Sequence, residues 1–250
     1  MDLAQNFQDL FSVQAAISML TLTVLEIVLG IDNIIFIAII AGKLPDRKDQ
    51  RKARAIGLSL ALIMRVALLF SISWVIGLKD PLFYISDFGA TGRDLILFAG
   101  GVFLLFKTTV EIHNKIEGRG EQEVNVKKIV LNSVIMQIVF IDIVFSFDSI
   151  LTAVGLVNNV LIMVMAVIIA MMIMLASSEK VSDFINKHPT IKMLALAFLL
   201  MIGMILILDA FHVHVPKQYI YVSMAFSLLV EGLNLRMRSK RAKKGTHFDN

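Results

Sequence analysis

Two stretches decide how this chain is read: LEIVLGIDNI at residues 25–34 and IDIVFSFDSI at residues 141–150. Aligned without gaps from the first acid, both run acid, Ile, Val, apolar, small, apolar, Asp, amide or hydroxyl, Ile. Glu26 therefore matches Asp142, Asp32 matches Asp148, and Asn33 matches Ser149. All four acids lie inside long apolar runs. A carboxylate facing lipid at mid-membrane costs about 2.5–3.5 kcal/mol on the insertion scale, so acids inside a span face protein or water. The pattern is an internal repeat of charged groups placed where charge is expensive.

The surrounding composition fixes the setting. The chain has 250 residues, 57% hydrophobic and 18% charged, with mean hydropathy +0.79, far from the balance of a soluble domain. Apolar stretches run at about 13–40, 55–78, 94–111, 129–154, 159–176, 191–211 and 217–235, each long enough to cross a bilayer. The expected fold is all-α: a polytopic membrane protein of seven transmembrane helices, a 3+3 inverted repeat followed by one C-terminal helix. The repeat must be inverted because its copies lie three spans apart and so cross in opposite directions. Residues 1–250 are predicted to form one transmembrane domain with a short basic tail at 236–250, leaving no room for a second soluble domain. The first twelve residues hold two Asp and no Lys or Arg, unlike a signal peptide, so the first apolar stretch is expected to stay in the mature protein.

Orientation follows from the basic residues. All but four of the 24 Lys and Arg fall in alternate loops or the tail, the exceptions being Lys79, Arg93, Lys217 and the intramembrane Arg65. The positive-inside rule then places the N-terminus outside and the C-terminus in the cytoplasm. The basic tail reads as contact with anionic lipid headgroups, with no nucleic-acid partner.

With no Cys, any metal ligands must be oxygen or imidazole. Glu26, Asp32, Asn33, Asp142, Asp148 and Ser149 form an all-oxygen set suited to hard cations such as Mg²⁺, Ca²⁺ or Mn²⁺; Gln137 and Glu231 are weaker candidates. The ion would be substrate, and no tightly bound cofactor is expected. Six residues separate the acids within each copy, which puts them roughly 120° apart around an unbroken helix and about 9 Å apart along it. They converge only if the helices are broken or tightened at Gly30 and Ser146; otherwise one acid per copy is the direct ligand. A purely structural alternative pairs the acids with Arg65, which would neutralise one carboxylate well and a second poorly. The methionines of span 5 read as packing. Asp209, His212 and His214, at the end of span 6, read as solvated, and Lys107 as snorkelling.

Five strings carry a family resemblance: VLEIVLGIDNIIFIAII (24–40), GLSLALIMR (57–65), GRDLILFAGGVFLLFK (92–107), DIVFSFDSI (142–150) and HVPKQY (214–219). Together they resemble the TerC family of integral membrane proteins, in its branch of short bacterial inner-membrane proteins and longer relatives with cytoplasmic CBS domains. The short basic tail here leads us to expect no CBS extension. The resemblance implies a seven-helix protein of the wider lysine-exporter superfamily, associated with metal-ion homeostasis and manganese export. It carries over to Glu26, Asp32, Asn33, Asp142 and Asp148.

The leading expectation is thus a non-enzymatic secondary exporter of a hard divalent cation, most of all manganese, in exchange for protons. Two alternatives are a non-transporting membrane partner protein and a small-solute exporter of the amino-acid type. An intramembrane aspartyl protease is disfavoured, because neither Asp32 nor Asp148 sits in a G-x-G-D string and Glu26 and Asp142 would have no role. The sequence leaves the oligomeric state open.

Overall fold

The structure is a computed structural model that describes residues 12–71, 76–78, 80–85, 88–117, 130–157, 159–216 and 218–245. Span 1 comprises two helices, α1 (Val13–Leu29) and α2 (Ile31–Ala41), meeting at Gly30. The others are α3 (Arg47–Phe70), α4 (Gly92–Ile116), α5 (Leu131–Leu156), α6 (Val160–Lys187), α7 (Pro189–Ala210) and α8 (Gln218–Gly245). Among the described residues, seven spans are long and apolar enough to cross a membrane. Local signals set their starts: Ser12 caps α1 by accepting from the Ala15 N–H at 3.0 Å, and Asn159 caps α6 by accepting from Leu161 at 3.0 Å. Thr91 and Asp94 form a reciprocal capping box on α4, and Pro189 opens α7, where its missing N–H costs nothing.

Helix limits and apolar limits differ. Span 2 begins at Arg47 rather than about 55, because the helix-forming basic run 47–54 continues the spiral beyond the apolar stretch. Likewise α6 runs on to Lys187. Between spans 2 and 3 a feature unforeseen in the sequence occurs, an antiparallel hairpin of β1 (Pro81–Ile85) and β2 (Phe88–Thr91). Its register pairs Phe83 with Ala90 and Tyr84 with Gly89, with an irregularity between Pro81 and Phe83.

Packing reproduces the repeat. Span 1 lies against span 5 as span 4 lies against span 2, and the self-matched pairs 2–5 and 3–6 are also in contact. Exchanging the two sets of three spans leaves this pattern unchanged, as a 3+3 repeat requires. Span 7 stands outside it and packs chiefly on span 6, through a small cluster of Phe198, Ile205, Ile220 and Met224.

Without a hydrophobic drive between helices in lipid, close approach depends on small residues. A Cβ on Gly57 would stand 2.8 Å from Ile138 of α5, and one on Gly101 would stand 2.7 Å from Ile207 and 2.8 Å from the Gly203 carbonyl of α7. A Cβ on Gly100 would collide with Val144. Three buried methionines of α6, Met163, Met171 and Met174, lie in the main core, in keeping with a packing role.

Gly101→Val should therefore cost about 1–3 kcal/mol by overpacking, read as a lower thermal midpoint of the detergent-purified protein. Gly155→Ala, where the new methyl group meets nothing within 4 Å, should leave the midpoint unchanged or raise it. Equal behaviour of the two variants would contradict this account of the packing.

Candidate functional site

The first acids of the two motif copies meet on one base. Arg65, projected inward from the last two turns of α3, donates from Nη1 to Glu26 Oε2 at 2.8 Å. Its Nε and Nη2 grip both oxygens of Asp142, at 3.0 and 2.8 Å. All three side chains are only 2–3% exposed. The planar guanidinium makes this possible, since its fork presents donors in two directions at once. One arginine thus serves two acids well, better than the sequence reading allowed.

The rest of the network grows from Asp142. Asn33 donates from Nδ2 to Asp142 Oδ1 at 3.1 Å, which ties span 1 of the first copy to span 4 of the second. Ser146 donates to the Asp142 carbonyl at 2.5 Å and approaches its Oδ2 at 3.1 Å. Two buried acceptors, Glu26 Oε1 and Asn33 Oδ1, have no donor among the described residues. Buried acceptors of this kind call for a proton, a water or a cation.

The second acids are placed differently. Asp32 is 5% exposed and accepts from the Tyr221 hydroxyl of span 7 at 3.5 Å. Asp32 and Ser149 line the same small cavity, about 20 Å³, with Leu29, Phe145, Ile202 and Tyr221, a space for one water-sized species. Ser149 also donates to the Ser146 carbonyl at 3.2 Å. Asp148 lies in α5 next to Ser149, but its side chain is outside the described residues. Among the described residues no three His, Asp or Glu side chains are grouped to hold a metal ion; two of the candidate acids are committed to Arg65.

The expected breaks are met in one copy only. At Gly30 the helix assignment is interrupted, yet its N–H still donates to Glu26 O at 2.8 Å and its carbonyl accepts from Ile34 at 3.1 Å. The junction is a flaw in the helix, not a gap. A Cβ on Gly30 would press on the flexible end of Met174 of α6 and stand 2.9 Å from the Glu26 carbonyl. At Ser146 no break exists, and α5 is continuous from Leu131 to Leu156.

The weaker candidates stand apart from these groups. Gln137 donates to Ser133 of its own helix at 2.9 Å, and Glu231 accepts from Thr190 at 2.5 Å and from Asn234 at 3.4 Å. The solvated reading of the end of span 6 needs correction for Asp209 alone, since the side chains of His212 and His214 are exposed. Asp209 is 4% exposed and pairs with His214 at 3.3 Å, while His212 reaches Asp94 at 2.9 Å. Tyr221 went unnoticed in the sequence; it lies outside the repeat, and only its aromatic hydroxyl in an apolar span hints at a role.

Comparison with known proteins identifies the family. The model of the integral membrane protein TerC family matches residues 11–246. The chain belongs to the TerC family. It is 51% identical over 217 residues to the UPF0053 inner membrane protein YoaE of Escherichia coli K12, covering 86% of this chain and 42% of that protein. The chain thus spans less than half the length of YoaE. Similarity to the UPF0053 inner membrane protein YgdQ of the same organism is 49% over 221 residues, 88% of this chain and 92% of YgdQ. A UPF0053 protein of Haemophilus influenzae is 45% identical over 233 residues, 93% and 98% of the two chains. No solved structure matches. The chain is therefore a multi-pass integral membrane protein whose relatives are named as inner membrane proteins.

Arg65→Met should destabilise the protein by about 3–5 kcal/mol, because it strands two buried carboxylates. Arg65→Lys should recover less than half of that, a point charge being unable to fork across both acids. Adding Glu26→Gln and Asp142→Asn to Arg65→Met should restore much of the thermal midpoint. A single Arg65→Met variant as stable as the parent would refute the pairing.

Proposed function

We propose that this TerC protein is a secondary transporter that exports a hard divalent cation, with manganese favoured by the family resemblance, in exchange for protons. The observation that carries this reading is the charge at the meeting of the two motif copies. Glu26 and Asp142 share the one guanidinium of Arg65, so a negative charge is in excess when both are ionised, and Asp32 is a further buried acid six residues on from Glu26. Buried negative charge of this kind favours taking up protons or a cation.

A division of labour follows. Glu26 and Asp142, locked on Arg65, hold span 1, span 2 and span 4 together and set the field. Asp32, Asp148 and Ser149 are the groups of the ion path, with the orphaned oxygens of Glu26 and Asn33 as further acceptors. Oxygen donors of this type suit Mn²⁺, Mg²⁺ or Ca²⁺ over softer ions. The energetics agree in sign with proton exchange. Moving two positive charges outward against a cell-negative potential costs about 4.6 kcal/mol per 100 mV, and returning two protons cancels that cost.

Asp32→Asn and Asp148→Asn should each abolish metal flux in proteoliposomes while the protein still accumulates and keeps its thermal midpoint. In the parent, metal leaving the lumen should acidify it, and an imposed pH gradient should change the rate. Metal movement without proton flux would eliminate the exchange, and wild-type flux in a well-expressed Asp32→Asn variant would eliminate the site.

On the positive-inside argument we place the N-terminus outside. A reporter fused before Val13 should then lie outside the cell and one fused near Arg241 in the cytoplasm; both on one side would remove the inverted relation of the motifs.

A further inference from the structure

We propose that spans 3 and 6 form a rocker, pivoting where Gly101 meets Gly203, with a separable acid–base latch at each end: Glu111 with Lys192, and Asp94 with His212. The proposal rests on the transport reading above and names the device that would open the Asp32 cavity to one face at a time.

The pivot is visible in the packing. Helices α4 and α7 are the most extensively packed pair in the molecule, and each repeat contributes one of them. At their crossing a Cβ on Gly101 would stand 2.8 Å from the Gly203 carbonyl, and one on Gly203 would stand 3.2 Å from the Gly101 carbonyl. The two backbones lie nearest one another there, flanked by the Ile207 and Leu105 side chains, which makes the crossing the fulcrum for any tilt of one helix on the other. Ile202 and Ile205 of α7 flank Gly203 and line the cavity that holds Asp32 and Ser149. A tilt about Gly203 therefore moves a cavity wall.

Each end of the pair is held. From Gly101, Asp94 lies about 10 Å away along the helix and Glu111 about 15 Å the other way, at 1.5 Å per residue. Glu111 takes Lys192 of α7 at 3.9 Å and also contacts Lys43 at the exit of α2. These side chains are 13–28% exposed, drier than the surface pairs that contribute little. At the opposite end Asp94 Oδ2 accepts from the Thr91 N–H at 3.0 Å and contacts His212 Nε2 at 2.9 Å. His212 has φ 61°, a left-handed position past the end of α7 where Gly is usual, and the Val213 N–H closes the turn on Leu208 O at 2.9 Å. The strain of that conformation is sustained by the grip of its ring on Asp94.

The two latches differ in chemistry. The lysine latch joins a carboxylate to an ammonium, whereas the histidine latch joins one to an imidazole, the side-chain type suited to a switch near neutral pH. Around His212 the other charged groups are Asp94 itself, Arg93 at 3.8 Å from Asp94 Oδ1, and the neighbouring pair Asp209 and His214. Protonation of His212 strengthens its attraction to Asp94, so acid on that face closes that end.

The test needs no metal. Because the chain has no Cys, Leu29→Cys gives a single thiol in the cavity wall, reacted in sealed oriented vesicles with a membrane-impermeant maleimide from either face. Lys192→Gln should raise labelling from the Lys- and Arg-rich face roughly fivefold. His212→Gln should raise it from the other face by a similar factor and abolish a slowing that the parent shows between pH 8 and pH 5.5. His212→Lys should restore slow labelling, now independent of pH, and His214→Gln should keep the pH dependence; that rescue separates a latch from general loosening. Unchanged labelling in both latch variants, or increases from the same face in both, would overturn the rocker. A loss of metal flux with these labelling patterns intact would count against the transport reading alone.

Discussion

Everything in this molecule is organised around one guanidinium in hydrocarbon. A buried charge without a partner is among the costliest states a protein can hold, and Arg65 gives two buried carboxylates a hydrogen-bonded partner at once. Glu26 arrives on span 1, Asp142 on span 4 and Arg65 on span 2, so the ion triad also fixes how three helices from both repeats sit together. Asn33, bonded to Asp142, extends that bond back to the second half of span 1. The apolar contacts elsewhere fill space; these polar contacts choose which helices meet and at what register. What remains after the triad is formed is a cavity with Asp32 and Ser149 on its wall, and there chemistry can vary without unfolding the bundle.

Much of this was legible before any coordinates. Seven apolar runs and the two ten-residue motifs point to the spans and the repeat, because membrane burial leaves few ways to hide carboxylates. Other features were not legible, for identifiable reasons. Helix ends in the basic run 47–54 are set by backbone hydrogen bonding, which continues where hydropathy stops. Both Gly30 and Ser146 read as the small residue of the motif, which hides that Gly30 is pressed on Met174 while Ser146 bonds within its own helix. Asp209 looked solvated because it ends an apolar run, yet the chain folds back at His212 and His214 covers it. The double use of Arg65 depends on a fork geometry that a count of charges does not contain.

The two copies of the motif also differ in what they bind. In the first, Asp32 reaches a tyrosine of span 7, outside the repeat. Span 7 is the least buried span, with 11% of its core window inside the protein. A helix so loosely held, carrying one hydroxyl to a buried acid, makes the cavity of the repeat sensitive to an element the repeat does not include.

Gly30 and Ser146 occupy the same place in the two motifs and do opposite mechanical work. Ser146 bonds to the carbonyl four residues back, inside an α5 that runs unbroken from Leu131 to Leu156. Gly30 has no side chain with which to do so, and its helix is interrupted there. The halves are alike in topology and unlike in stiffness. Strain applied across the pair is absorbed by the compliant arm, and a displacement that would bend both arms of a symmetric machine is concentrated in span 1, one residue from Ile31 and two from Asp32.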